Sequence, residues 1–251
     1  MSKEFEHIMN NLYIVSTPIG NLQDITIRAI KTLFSVDYIL AENPDRVRIL
    51  LSEIKNRFGK FIDNGKNPRV IHFNEYLENE NTHEFLSLLE KGFDVAIVSS
   101  AGTPLISDPG YKLVKLAISK NVNIIGVPGP SSVISSIVVS GLPTDKFWFS
   151  GFLPKTKIKK EKMLILYKEI LNFSANKDIN PTLIMFESPH RLIETLHSIK
   201  DVFGNINIVI AREMTKKFEE LERKNIDHFI EKYEVNEPKG EFVILLNLKS
   251  A

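Results

Sequence analysis

Short apolar runs alternate with amphipathic helical patterns along the first half of the chain, and this alternation constrains the fold most. After each run, apolar residues recur every three or four positions, as Ile27, Ile30, Leu33 and Phe34 do. Strands that alternate with helices in this way predict an α/β fold with a mainly parallel sheet. The expected strands of this half are residues 12–15, 38–41, 70–73 and 95–98, and a helix is expected over residues 82–91.

The second half of the chain is richer in apolar runs, and its last segments are suited to antiparallel pairing. We expect a mixed sheet there, with strands at residues 124–127, 146–152, 183–186, 206–210 and 242–248. The polar residues 121–123 are the expected boundary, which gives an N-terminal α/β domain of residues 1–121 and a C-terminal α/β domain of residues 122–251. Polar loops at the strand ends of both domains predict a cleft between them.

The charge balance and the absence of cysteine exclude several classes of function. The formal net charge is +1, so contact with nucleic acid would depend on a local basic patch. Without cysteine the chain has no disulfide, no thiolate metal site and no cysteine nucleophile, which fits a cytoplasmic protein. The first eleven residues lack the apolar core of a signal peptide, and no apolar run approaches the roughly 20 residues of a membrane span. We therefore expect a cytoplasmic protein with no membrane partner.

The loop over residues 98–110 changes abruptly from an apolar strand to a polar, glycine-rich sequence. Ligands in open α/β sheets bind beyond the carboxyl ends of strands, which is where this loop lies. Gly102 and Gly110 would allow a positive φ or a close backbone approach. Ser107 or Asp108 is the expected cap of a helix that begins near Tyr111. The alternative to a binding loop is an ordinary connection between strand and helix.

Two other segments have both a structural and a functional interpretation. Residues 128–132 follow a strand, and Pro130 is expected at the first position of a helix whose amides would attract an anion. A tight turn without a ligand is the alternative. The five lysines between Lys155 and Lys162 indicate a solvated helix start or a contact with RNA phosphates.

Seven segments in order resemble those of one enzyme family. They read STPIGNL at 16–22, AGTPLISDPG at 101–110, PGPS at 128–131, SGLPTD at 140–145, ESPHR at 187–191, ARE and TK at 211–216, and PKGEF at 238–242. This order resembles the small-subunit rRNA methyltransferase I family, the 16S rRNA cytidine 2′-O-methyltransferases, within the tetrapyrrole-methylase-like superfamily. The resemblance extends from Leu12 to Leu248.

The resemblance implies a two-domain class III methyltransferase fold that binds S-adenosylmethionine (SAM) in the cleft between its domains, without a metal. It also implies a homodimer whose substrate is the ribose 2′-hydroxyl of a cytidine in 16S rRNA of the small ribosomal subunit, near the decoding centre. The family's cofactor loops carry over to Pro18, Ser100, Ala101, Gly102, Thr103, Ser107, Pro128, Gly129, Pro130, Ser131, Met214, Lys239, Gly240 and Glu241.

Charged residues at the strand ends are the candidates for catalysis. A ribose hydroxyl is a poor nucleophile until its proton is accepted, and Glu42 and Glu187 are the expected acceptors. Arg212 and Lys216 would hold an rRNA phosphate or orient those carboxylates. The alternative for each of the four is a structural ion pair or a loop cap.

The sequence departs from the family pattern at three places in the first half. The usual S-D-A-G is Ser99-Ser100-Ala101-Gly102 here, and A-E-D-T-R is residues 41–45, AENPD, with Arg46 or Arg48 as a possible substitute. A His-Glu-His-like stretch is replaced by residues 74–76, NEY. Two alternatives to an rRNA methyltransferase remain. One is a catalytically weakened rRNA-binding or subunit-assembly protein, and the other is a methylase of a tetrapyrrole or another small molecule.

Overall fold

The computed structural model describes residues 10–62 and 65–248, and the chain divides into two compact units of residues 1–131 and 132–251. The division falls after residue 131 instead of the expected 121. The reason is strand β5 (Ile124–Val127), which pairs in parallel with β1 (Leu12–Val15) and so belongs to the first sheet.

The first unit has a five-stranded sheet in the order β3-β2-β4-β1-β5, in which every neighbouring pair is parallel. The remaining strands are β2 (Tyr38–Ala41), β3 (Arg69–His72) and β4 (Val95–Val98). The helices are α1 (Ile27–Leu33), α2 (Pro44–Phe58), α3 (Glu75–Glu90) and α4 (Tyr111–Ser119). The parallel sheet is confirmed, although α3 begins earlier than its apolar pattern predicts.

Successive residues of each strand fill two separate cores, one on each face of this sheet. Val15 and Ile39 pack with Ile30 of α1 and Leu51 of α2, whereas Leu12 and Leu40 pack with α3 and α4 on the other face. All four residues of β4 are buried, as expected for a central strand covered on both faces.

Two of the family departures lie at helix starts, where their side chains act as caps. Asn43 accepts a hydrogen bond from the amide of Arg46 at 3.1 Å, and Pro44 is the first residue of α2. Asn74 accepts a bond from the amide of Leu77 at 2.8 Å and begins α3. Asparagine and aspartate cap helices about equally well, so the asparagine at position 43 preserves the local structure.

The second unit has a mixed five-stranded sheet in the order β6-β7-β10-β8-β9. Strands β6 (Phe147–Phe152) and β7 (Thr182–Glu187) are parallel, and the other neighbouring pairs are antiparallel. The other strands are β8 (Asn207–Arg212), β9 (Glu220–Asn225) and β10 (Phe242–Leu246), and the helices are α5 (Ser132–Ser140), α6 (Lys157–Ala175), α7 (Leu192–Phe203) and α8 (Ile226–Val235). The expected mixed sheet is thus confirmed.

Helices cover both faces of the second sheet. Leu164, Leu196 and Phe229, from α6, α7 and α8, pack in one core with Met185 and Ile244 of the sheet. Helix α5 packs against β8 and β10. This arrangement leaves β6 and β9 as the edge strands of the second sheet.

Candidate active site at the strand ends

In the first unit, the loops that follow β1, β4 and β5 are tied together at the carboxyl end of the sheet. Thr17 and Gly102 form a bridge, with Thr17 N donating to Gly102 O at 2.9 Å and Gly102 N donating to Thr17 O at 3.1 Å. The hydroxyl of Thr103 donates to Pro130 O at 3.1 Å and lies 3.1 Å from the hydroxyl of Ser16. The expected cofactor loops around Pro18, residues 100–103 and residues 128–131 therefore lie together.

Two glycines allow these loops to approach one another. Gly102 has a φ of +81°, which confirms the expected positive φ, and a Cβ there would lie 3.1 Å from Ile19 Cγ2. A Cβ on Gly129 would lie 2.9 Å from Ser16 Cβ. Only glycine allows this close packing of the loops without a local shift.

The loop after β4 holds several residues with a left-handed backbone. Gly110 has a φ of +132°, and Leu105 and Ser107 have values of +70° and +66°. A positive φ at a non-glycine residue is uncommon and costs about 1–3 kcal/mol, so the surrounding structure must impose it. Such strain is typical of ligand-binding loops.

A buried carboxylate from α3 imposes part of this conformation. Glu78 accepts hydrogen bonds from the amides of Gly110 at 3.1 Å, Lys112 at 2.7 Å and Leu113 at 3.0 Å. Gly110 is the cap residue of α4 and has no side chain, so the prediction that Ser107 or Asp108 caps this helix is wrong. Glu78 occupies the amides that would otherwise attract an anion.

The expected helix start at residues 128–131 also needs correction. Helix α5 begins at Ser132, so Pro130 precedes the helix instead of occupying its first position. The carbonyl of Pro130 instead accepts the hydroxyl of Thr103.

A small polar cluster lies where β2 and β4 end. The hydroxyl of Ser100 is 3.5 Å from Glu42 Oε2, and the Glu42 side chain is exposed. Burial, together with the negative charge of Glu42, raises the pKa of Asp108 to about 6. An aspartate at position 100, as in the family, would add a third carboxylate to this cluster. Sequence reasoning did not select Asp108 as a candidate for catalysis, because its burial cannot be read from the segment LISDPG.

In the second unit, the sheet register aligns the charged strand ends in one row. Phe242 pairs with Glu187 on one side and with Arg212 on the other, and Arg212 pairs with Glu220. The loop of Lys239, Gly240 and Glu241 precedes Phe242 and so lies at the same edge.

Glu187 is buried, and its carboxylate is occupied by neighbouring groups. Oε1 accepts the amide of Ser188 at 2.8 Å, and Oε2 accepts the hydroxyl of Thr195 at 2.6 Å. The guanidinium of Arg191 lies 3.6 Å from Oε2. The side chain of Glu187 is 0% exposed, and these contacts favour its interpretation as a loop cap and ion pair.

Arg212 pairs with one carboxylate and one backbone carbonyl of its own unit. Its Nε lies 3.0 Å from Glu220 Oε2, and Nη1 donates to Lys239 O at 3.1 Å. Burial opposes ionisation of Glu220, but hydrogen bonds, those from Lys232 and Arg212 among them, lower its pKa to about 2.

Lys216 lies between two carboxylates, 2.8 Å from Glu213 Oε1 and 3.0 Å from Glu241 Oε2. Burial opposes the charge of Glu213 and of Lys216, but their mutual hydrogen bond lowers the pKa of Glu213 and raises that of Lys216. Gly240 has a φ of +102°, and a Cβ there would lie 2.5 Å from Glu213 Cγ. Met214, between these charged residues in sequence, is buried.

The sequence analysis named most of these residues as candidates for the site, but it did not include Glu78, Asp108 or Arg191 among them. Among residues 10–62 and 65–248, no group of three or more His, Asp or Glu side chains is placed to bind a metal ion. No helix in the same ranges has the length and hydropathy to cross a membrane.

The fold is that of the tetrapyrrole methylase family of proteins. The family model of tetrapyrrole (corrin/porphyrin) methylases matches residues 11–230. The solved structure of diphthine synthase aligns with a TM-score of 0.65 and 13% identity, covering 94% of this chain and 89% of that one. Cobalt precorrin-4 methyltransferase aligns with a TM-score of 0.61 and 16% identity, covering 94% of each chain. At this identity the two structures establish the fold alone.

Sequence relatives narrow the assignment. The ribosomal RNA small subunit methyltransferase I of Thermotoga maritima is 42% identical over 96% of this chain and all of its own length. That of Rickettsia prowazekii is 43% identical over 96% of this chain and 79% of its own length. The chain therefore belongs to the ribosomal RNA small subunit methyltransferase I family.

Proposed function

We propose that this protein is a SAM-dependent methyltransferase that modifies the ribose 2′-hydroxyl of a cytidine in 16S rRNA, near the decoding centre of the small ribosomal subunit. The observation that carries the proposal is the family relationship along nearly the whole chain. The strand-end loops gathered within each unit support it. We further propose that it acts in the cytoplasm as a homodimer.

The loops of the first unit have the properties that SAM binding requires. Thr17, Gly102, Thr103 and Pro130 form a closely bonded set at the carboxyl ends of three adjacent strands. The strained backbone of Leu105 and Ser107 is the kind of conformation found at ligand clamps. SAM would supply an electrophilic methyl group on a sulfonium, and no metal is required.

Glu42 and Asp108 are the proposed proton acceptors. In the reaction, the ribose oxygen bonds to the methyl carbon as the bond from that carbon to sulfur breaks, and the hydroxyl proton passes to a carboxylate. A pKa of about 6 gives Asp108 an affinity for protons that suits a base at neutral pH. Ser100, 3.5 Å from Glu42, can orient that carboxylate but cannot replace it as a base.

Glu187, Arg212 and Lys216 are proposed to shape the edge of the second sheet. Their contacts are with Thr195, Glu220 and Glu213, all within the second unit. We therefore propose that these residues position the loops of residues 187–191, 213–216 and 239–241, with the last two contributing to SAM binding.

The test is mass spectrometry of ribose methylation in 16S rRNA from a deletion strain. The gene is returned as wild type, Asp108→Asn, Glu42→Gln or Glu187→Ala, and SAM binding by each protein is measured by calorimetry. We expect Asp108→Asn to bind SAM normally and to lower the methylation rate about 100-fold, as loss of a general base does.

Two outcomes would contradict this function. Binding to the small subunit with no change in ribose methylation on deletion would indicate an assembly protein. Failure of the wild type to bind SAM at millimolar concentration in the presence of small subunits would contradict the proposal that the protein depends on SAM.

A further inference from the structure

The segment from Lys155 to Lys162, which leads into α6 and forms its start, carries the densest group of lysines in the chain. These lysines are not equivalent. Lys160 is fully buried, and its ammonium donates to Glu194 Oε1 at 3.0 Å and to Thr195 Oγ1 at 3.2 Å. Lys157 lies 3.7 Å from Glu161. The side chains of Lys155, Lys159 and Lys162 are exposed.

These three exposed lysines are not neutralised by acidic neighbours. In the described ranges, no carboxylate lies within 4.0 Å of the ammonium of Lys155, Lys159 or Lys162. A chain with a net charge of only +1 therefore has a local basic surface here.

An exposed aromatic ring lies next to this basic segment. Phe152 ends the edge strand β6 and is 51% exposed, three residues before Lys155. Its ring centroid is 5.6 Å from that of Phe186, which in turn lies 4.7 Å from that of Phe149. These edge-to-face contacts support the Phe152 ring from one side while half of its surface faces solvent.

The ESPHR segment of residues 187–191 holds this surface in place. Arg191 donates to the carbonyls of Leu153 at 2.6 Å and Pro154 at 3.1 Å, directly after Phe152. Thr195, which accepts from Lys160, donates to the buried Glu187 at 2.6 Å. The start of α6 is therefore anchored on both sides of Lys155, so little order remains to be gained on binding.

We propose that Phe152, Lys155, Lys159 and Lys162 form a surface that binds a single-stranded segment of the rRNA substrate. The inference rests on the proposed function, which supplies RNA as the substrate. The lysines would contact successive phosphates, and an unpaired base would stack on the exposed face of Phe152. Glu187 and Arg191 act in this proposal as positioning residues, because they reach the RNA only through the segment that they hold.

The charge test uses two triple variants of equal charge. Lys155, Lys159 and Lys162 are replaced by Gln in one, and the exposed Lys91, Lys115 and Lys120 of the first unit are replaced by Gln in the other. Affinity for a fluorescent single-stranded 16S rRNA fragment is measured at several salt concentrations. We expect the first variant to weaken binding at least tenfold and to reduce the salt slope by about 2, since each single-strand phosphate contact contributes about 0.7. The control variant should match the wild type.

The stacking test compares Phe152→Leu with Phe173→Leu, a change at an exposed phenylalanine near the end of α6. Phe152→Leu should weaken RNA binding by about fivefold or more, because leucine keeps apolar bulk but loses the ring face. Arg191→Lys should also weaken RNA binding and raise the KM for RNA, while the affinity for SAM stays unchanged.

The outcomes separate this proposal from the proposed function. If the wild type methylates rRNA and the lysine variant binds RNA as tightly as its control, the proposed RNA-binding surface is rejected and the proposed methyltransferase function is kept. If the wild type binds RNA through these residues but transfers no methyl group, the proposed methyltransferase function is rejected and the proposed RNA-binding surface is kept. A lysine variant that loses binding only to an acidic protein of the small subunit would also overturn the RNA surface.

Discussion

At the scale of single residues, the ionised form of Asp108 is destabilised by burial and by the negative charge of Glu42. Asp108 is partly buried beside another carboxylate, and its pKa is raised from 3.8 to about 6. Between these two values the folded protein binds more protons than the unfolded chain. The contribution of Asp108 to stability is therefore most favourable below about pH 4 and is lost as the pH rises through 6.

Replacing Asp108 with asparagine should stabilise the protein at alkaline pH. At pH 8 the wild type holds an ionised Asp108 against burial and the charge of Glu42, whereas asparagine has no charge to bury. We expect the free energy of unfolding to rise by about 1 kcal/mol at pH 8 and not at pH 4, after allowance for partial exposure. Urea unfolding at the two pH values measures this difference, and the exposed Asp24→Asn is the matched control. Equal effects of Asp108→Asn at both pH values would contradict the assignment.

Glu78 is the second single residue that we expect to contribute strongly to the free energy of unfolding. Glu78→Ala leaves three amides at the start of α4 without their acceptor, two of which share Oε1. We expect a loss of about 3 kcal/mol or more in the free energy of unfolding. Glu78→Gln should lose less, about 1–2 kcal/mol, because one oxygen can still serve Lys112 and Leu113.

Thermal or urea unfolding measures both changes at Glu78. The exposed Glu84→Ala on the same helix is the control and should leave stability within about 0.5 kcal/mol of the wild type. A Glu78→Ala protein as stable as that control would show that the helix start finds other partners.

At the scale of elements, the strand-end loops are held by backbone conformations that side chains rarely adopt. In the part of the chain that the structure describes, four of the six non-glycine residues with positive φ are Leu105, Ser107, Glu213 and Thr215. They lie in two of the loops proposed to bind the cofactor, one in each unit.

Substitutions at Gly240 and Gly204 separate the cost of backbone strain from the cost of a steric clash. Both have positive φ, but a Cβ at Gly240 would meet the Glu213 side chain at 2.5 Å, whereas nothing lies within 4 Å at Gly204. Gly204→Ala should cost the backbone strain alone, about 1–3 kcal/mol. Gly240→Ala should cost more and should also weaken SAM binding, because the Glu213–Lys216 pair must move.

Calorimetric titration with SAM, together with melting curves, distinguishes the two alanine variants. Equal SAM affinity in Gly240→Ala, Gly204→Ala and the wild type would exclude a role for the loop of residues 239–241 in cofactor binding.

Sequence reasoning succeeded where the physical signal is local. The apolar runs predicted nearly all strands, and Gly102 and Gly110 have the positive φ that their context indicated. It missed β9 and α8. Strand β9 reads ELERKN, which is a polar edge strand without the apolar pattern of a core strand. The burial of Lys160 depends on the packing of α6 against α7, and the row of Glu187, Phe242 and Arg212 depends on sheet register. No local sequence pattern encodes either of them.

At the scale of the whole molecule, the position of β5 decides where the chain can be divided. β5 pairs with β1 along its full length, and the amide of Ser16 donates to Val127 O at 3.1 Å. Val127 is also part of the core shared with α1 and α2. The strand therefore stabilises the first unit although it lies beyond the polar break of residues 121–123.

A fragment of residues 1–131 should unfold cooperatively in urea, whereas a fragment of residues 1–121 should not. The shorter fragment lacks β5, so β1 loses its hydrogen-bonding partner on one side and the core loses Val127. Circular dichroism and urea titration of the two fragments measure this. Two equally cooperative fragments would show that β5 is dispensable to the first unit.

The dependence of α4 on Glu78 has an evolutionary consequence. Three amides share one acceptor that comes from about thirty positions earlier in the chain. Position 78 should therefore drift to an apolar residue only in lineages that have gained an oxygen-bearing side chain at the start of α4, at position 110 or beside it. Covariation between these two places across relatives would be the historical record of that single carboxylate.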